Sequence, residues 1–239
     1  MFVIAGNNDI MHDYLIGGSA EVSDGVLGAR TFVDGQNSLS IQRNAIGNFS
    51  HEMRHNLGVP DIYGTYDNVQ YLSIMSDSWP TPPHTFSAYE KYQLGWAQPQ
   101  IINETKHDIK LESGETSLCF LKILTNNPQE YFLIEYRTRQ TSSYTSLAPV
   151  DYDGIAIYHI NNNSTNDNNA FPPHLALIPA DGGNYFSDHQ LAKTAFWYPG
   201  NKLMPDTCSL KMYSGENCHI VITDFKYIEK GMSLSVIIE

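Results

Sequence analysis

The chain has 239 residues, 41% of them hydrophobic and 12% aromatic, and a formal net charge of −12. That length suits one large domain or two modest ones with a buried core, and the acidic balance disfavours nucleic acid and anionic membrane as partners, because both repel a negative surface. No run of about 18 apolar residues occurs, so no transmembrane helix and no membrane insertion are expected.

Residues 2–5 are apolar and β-prone. They lack the basic region and the longer apolar run of a signal peptide. They read as a strand that begins abruptly, as in the later part of a longer protein. Residues 6–28, rich in Gly, Asn, Asp and Ser, read mainly as loop. Residues 29–33 read as a second strand closed by Asp34-Gly35.

A helix is expected to start near Ser38 or Ser40, either of which suits an N-cap. Ile41, Ala45, Ile46, Phe49, Met53 and Leu57 recur at helical spacing and form a core-facing stripe. His51 and His55 lie one turn apart, so their imidazoles project from one face beside that stripe. Glu52 sits next to them. The run His51-Glu52-Met53-Arg54-His55 thus offers two nitrogen ligands for Zn²⁺ and a carboxylate base. Gly58 suits the left-handed turn that ends a helix. The chain can then swing Asp61 back as a third, oxygen ligand, at the position where the longer H-E-x-x-H-x-x-G-x-x-H signature carries a histidine. Glu90 is the rival third ligand, and in that case Asp61 would only orient a histidine.

Residues 62–68 read as a loop, and Met75 follows in Ile74-Met75-Ser76. Pro80, Pro82 and Pro83 interrupt regular structure, and residues 86–96 read as a short helix ended by Gly95. Beyond Trp96, residues 108–112, 117–124, 130–137, 154–160, 174–178, 219–225 and 232–238 read as strands separated by turn residues, the rhythm of an antiparallel sandwich. Residues 161–169 form an Asn-rich stretch expected to be a mobile loop. His159 and His174 are read as structural histidines. Of the three cysteines, Cys119 is expected as a buried thiol, whereas Cys208 and Cys218 flank a turn and are candidates for a disulfide.

From residue 46 to residue 96 the chain resembles the immune inhibitor A family of secreted bacterial metallopeptidases, the M6 family. The resemblance rests on Ile46-Gly47-Asn48-Phe49-Ser50-His51-Glu52, Leu57-Gly58-Val59-Pro60-Asp61-Ile62-Tyr63, Ile74-Met75-Ser76 with Trp79, and Phe86-Ser87-Ala88-Tyr89-Glu90-Lys91 through Leu94-Gly95-Trp96. It continues through residues 130–137, 153–160 and 180–183, covers nearly the whole chain, and is strongest over residues 46–96 and 130–183. It implies that His51, His55 and Asp61 bind one catalytic zinc ion, that Glu52 is the general base, and that Met75 floors the site. Arg54 departs from it, since the family commonly has Gly there. The expected fold is α+β: residues 1–98 as the later part of a metzincin-like zinc peptidase core, and residues 99–239 as an antiparallel β-sandwich. The expected function is a secreted zinc endopeptidase acting on a protein or peptide substrate. The carboxylate excess is compatible with Ca²⁺, but without an Asp-x-Asp-x-Asp loop no calcium ligand is assigned. A carbohydrate- or surface-binding sandwich module with a residual zinc site is the other function class, as is a purely structural fragment. Zinc affinity and cleavage of a protein substrate separate them.

Overall fold

The computed structural model describes residues 18–21, 27–30, 50–51, 54–55, 57–77, 84–113, 117–138, 153–164, 168–186 and 190–239. The strand expected at residues 2–5, the start of the central helix and Glu52 lie outside the described residues.

Strands β1 (Gly18–Glu21) and β2 (Leu27–Arg30) pair antiparallel. β1 lies within the stretch 6–28 read mainly as loop, of which only residues 18–21 and 27–28 are described. Gly18-Ser19-Ala20-Glu21 has no β-prone side chain, and its strand character comes from pairing with β2, which composition does not show.

The remaining strands form two sheets. β3 (Gln100–Ile102), β5 (Leu121–Leu124), β6 (Glu130–Thr138), β7 (Asp153–Asn161) and β8 (Leu175–Leu177) make a five-stranded sheet in the order β3-β5-β6-β7-β8. β3 and β5 run parallel and every other neighbouring pair is antiparallel. β4 (Lys106–Glu112), β9 (Cys208–Lys211), β10 (Asn217–Ile228) and β11 (Gly231–Ile238) make an antiparallel four-stranded sheet in the order β4-β11-β10-β9. Each of the seven strands expected beyond Trp96 is present, with ends shifted by a few residues. β3 and β9 are additional.

Side chains alternate between the faces of a strand, and that period assigns the layers. Phe132, Ile134 and Tyr136 of β6 and Ile155 and Ile157 of β7 face the four-stranded sheet. There they share one core with Ile109, Leu111, Leu210, Ile222, Leu234 and Val236. This is the sandwich core. The interleaved residues Tyr131, Leu133, Ala156, Tyr158 and Ile160 face the other way. They form a second core with Val59, Ile62, Leu72, Ile74, Met75 and Tyr89. The five-stranded sheet is therefore covered on both faces, and all of β6 is buried. The four-stranded sheet has one wet face, as the alternation of β9 shows.

Helix α1 (Ala88–Gln93) lies on the second core. The Ser87 side chain accepts from the Glu90 amide and the Glu90 side chain accepts from the Ser87 amide, a capping box that fixes its start. Gly95 takes φ +67° just beyond its end, as the sequence suggests.

Four local expectations need correction. Cys208 and Cys218 are free thiols. β9 does pair with β10, but its register sets Cys208 opposite Ile222, and Cys218 lies four residues away along β10. Burial pushes the Cys208 thiol up to about 12. Cys119 is half-buried. Leu57, assigned to the core-facing stripe, is 55% exposed, because residue 57 already belongs to the turn. The Asn-rich stretch contributes two buried side chains, Asn161 and Asn168, to the fold. The Asn168 amide donates to the Leu175 carbonyl and its oxygen accepts from the Leu175 amide, as a neighbouring strand would. Among the described residues no helix is long and apolar enough to cross a membrane.

Candidate metal centre

Ser50, His51, Arg54 and His55 are helical. The helix ends in a turn in which the Gly58 amide donates to the His55 carbonyl at 3.0 Å and the Val59 amide to the Arg54 carbonyl at 3.2 Å. Gly58 has φ +86°, with nothing within 4 Å of where a Cβ would stand, so glycine is needed for conformation alone. The turn brings Asp61 back over the histidines. Asp61 Oδ1 lies 3.1 Å from His51 Nε2 and 3.1 Å from His55 Nε2. The two rings meet edge to face with centroids 4.9 Å apart. His51, His55 and Asp61 form a group that could hold a metal ion, and it is the one such group among the described residues.

The outer partners decide what the imidazoles can do. His51 Nδ1 lies 2.9 Å from the Ile74 carbonyl and His55 Nδ1 lies 3.0 Å from the Val59 carbonyl. A carbonyl only accepts, so each Nδ1 must carry the proton. In the neutral rings each Nε2 then presents a lone pair. Two lone pairs thus converge on a carboxylate oxygen that is buried and has no hydrogen-bond partner. Such a trio of acceptors needs a cation between its members. Two donors on one tetrahedral zinc at about 2.0–2.1 Å lie about 3.3 Å apart, close to the separations found here. Burial alone would raise the Asp61 carboxyl, but its contacts with His51 and His55 outweigh this and hold it well below the usual carboxylate range.

The rest of the loop is pinned. The Ile62 amide donates to the Met75 carbonyl at 3.0 Å, and Met75 is fully buried next to Ile74, which orients His51. The Tyr66 amide donates to the Asn168 carbonyl at 2.7 Å. Asn68 exchanges both of its amide hydrogen bonds with Leu177, the last residue of β8. Gly64 is required here by space, since a Cβ would stand 2.7 Å from the Asn168 carbonyl carbon. Tyr63 is half-exposed, and its ring stacks on His51 with centroids 6.1 Å apart.

Glu90 is not part of this group. Its side chain is wholly buried, with Oε1 accepting from Arg54 Nη1 at 2.8 Å and Oε2 from the Ser87 amide at 2.5 Å. His159 and His174 are structural, as read. His159 Nε2 faces Glu130 Oε2 at 2.9 Å and its ring stacks on Tyr213. His174 donates from Nδ1 to the Asn161 carbonyl and accepts at Nε2 from the Tyr89 hydroxyl at 2.6 Å. Sequence reasoning missed Ile74 and Val59 as the groups that orient the histidines. They act through backbone carbonyls, so their side chains carry no signal.

Comparisons with protein-family models, with curated proteins and with solved structures find no match for this chain.

Proposed function

We propose that the chain is a secreted zinc-dependent endopeptidase of the immune inhibitor A-like, M6 kind, with a metzincin-like site, acting on protein or peptide substrates. The observation that supports this most is the pair of histidines locked with Nδ1 protonated and Nε2 directed at the partnerless Asp61 oxygen. That donor set, two imidazole nitrogens and one carboxylate oxygen, is one that zinc takes at catalytic sites. When bound, zinc supplies a Lewis acid that polarises the scissile carbonyl and makes a water acidic near neutral pH.

The chain's own residues do the rest. His51, His55 and Asp61 hold the ion, and the Ile74 and Val59 carbonyls keep both rings aimed. Glu52, next to His51 in the sequence, takes a proton from the attacking water onto its carboxylate and delivers it to the leaving amine nitrogen. Tyr63, half-exposed against His51, borders the place where a substrate would lie.

The experiment is cleavage of unfolded casein by the purified chain, with and without a chelator and after zinc is restored. The reading requires chelator-sensitive cleavage that zinc restores. Cleavage indifferent to chelation, or tight zinc binding with no cleavage of any protein, would sink it. The second outcome would favour a binding module.

A further inference from the structure

Arg54 stands between the two histidines on the site helix, yet its side chain turns away from the cluster. It is 2% exposed, with Nη1 2.8 Å from Glu90 Oε1 and its guanidinium carbon 4.0 Å above the centre of the Phe86 ring. Its Nε and Nη2 are buried without a hydrogen-bond partner. Burying an arginine is costly, so an incompletely satisfied one has to be held by its surroundings. Burial lowers the pKa of this guanidinium, against the opposing charge and hydrogen bond of Glu90.

The main chain of the same residue ends the helix. The Arg54 carbonyl accepts from the Leu57 amide at 2.9 Å and from the Val59 amide at 3.2 Å. The Val59 carbonyl in turn accepts from His55 Nδ1. A physical path thus runs from Glu90 on α1, through Arg54, to the turn that aims His55 and delivers Asp61. His51 stands outside it, because its Nδ1 is held by Ile74.

We propose that Arg54, anchored by Glu90, is a positioning residue for the His55–Asp61 half of the metal centre. The proposal rests on the metal reading of that cluster. It makes a prediction that a merely structural ion pair does not: the two histidines respond unequally when the pair is removed.

The test uses the metal-free full chain, labelled with ¹⁵N, at pH 8. Long-range proton–nitrogen correlations report which nitrogen of each imidazole carries the proton. Arg54→Met combined with Glu90→Met replaces the pair by apolar side chains, a change that folded proteins often tolerate. Glu90→Gln removes the charge at constant volume and serves as the second variant. The expected result is that His51 keeps its proton on Nδ1 while His55 becomes a mixture of Nδ1–H and Nε2–H forms. Zinc affinity measured by competition with a chelating dye should fall about 10–100-fold. Unchanged tautomers with unchanged zinc affinity would overturn the proposal, as would equal changes at both histidines. Failure of the unaltered chain to bind zinc would remove the metal reading, and the tautomer pattern would still decide whether Arg54 positions His55.

Discussion

At the scale of single residues, the account turns on which atoms face one another at the metal centre. Asp61→Ala should lower zinc affinity by well over the 10–100-fold that loss of an orienting partner costs, as a chelator-competition titration would show. A loss inside that range would demote Asp61 to an orienting role. Glu52→Gln should leave zinc bound and reduce peptide cleavage by about 10²–10⁴-fold, the usual contribution of a general acid–base; cleavage at the original rate would remove Glu52 from the mechanism. The clustering of His51, His55 and Asp61 is legible in the sequence, because a helix of fixed pitch and a glycine turn bring positions 51, 55 and 61 together. The orienting carbonyls of Ile74 and Val59 are not, since any residue supplies one. Nor is the pairing of Glu90 with Arg54, which needs two segments 36 residues apart to be seen side by side.

At the scale of elements, the metal loop is held by turns and by its contact with the Asn-rich stretch. Gly58→Ala places a Cβ in free space but in a left-handed conformation, which costs roughly 1–2 kcal/mol. Gly64→Ala should cost more, because its Cβ meets the Asn168 main chain and that contact cannot yield by a rotamer change. Denaturant unfolding of both variants checks the order, and equal costs would show that the loop is not docked there. The long strands β6 and β7 are legible as apolar runs, since both of their faces are buried. β3 and β9 are only three and four residues long, too short for alternation to stand out. The Cys208–Cys218 pairing fails on register, which turn residues alone do not determine.

At the scale of the whole molecule, the segment that carries His51, His55 and Asp61 shares its core with the outer face of the five-stranded sheet. Residues on either side of position 98 therefore contribute to one cluster. Met75, fully buried in that cluster, should cost about 2–5 kcal/mol when replaced by Ala. His159 links global stability to pH. Burial lowers its pKa from 6.5 to about 4, outweighing the Glu130 carboxylate that raises it. The unfolded chain binds the extra proton first, so this contribution is complete above about pH 6.5 and is lost as pH falls toward 4. His159→Gln should flatten the stability profile across that window, and an unchanged slope would assign it to other groups. The layering was legible only in part: alternation marks the face of a strand, but a strand buried on both faces does not say which partner covers which side.

The most direct measurement of the central claim is diffraction from zinc-soaked crystals at wavelengths on either side of the zinc absorption edge. The account predicts one strong anomalous peak within about 2.0–2.2 Å of His51 Nε2, His55 Nε2 and an Asp61 oxygen. A peak coordinated by Glu90 instead of Asp61, or no peak at this cluster, would contradict it.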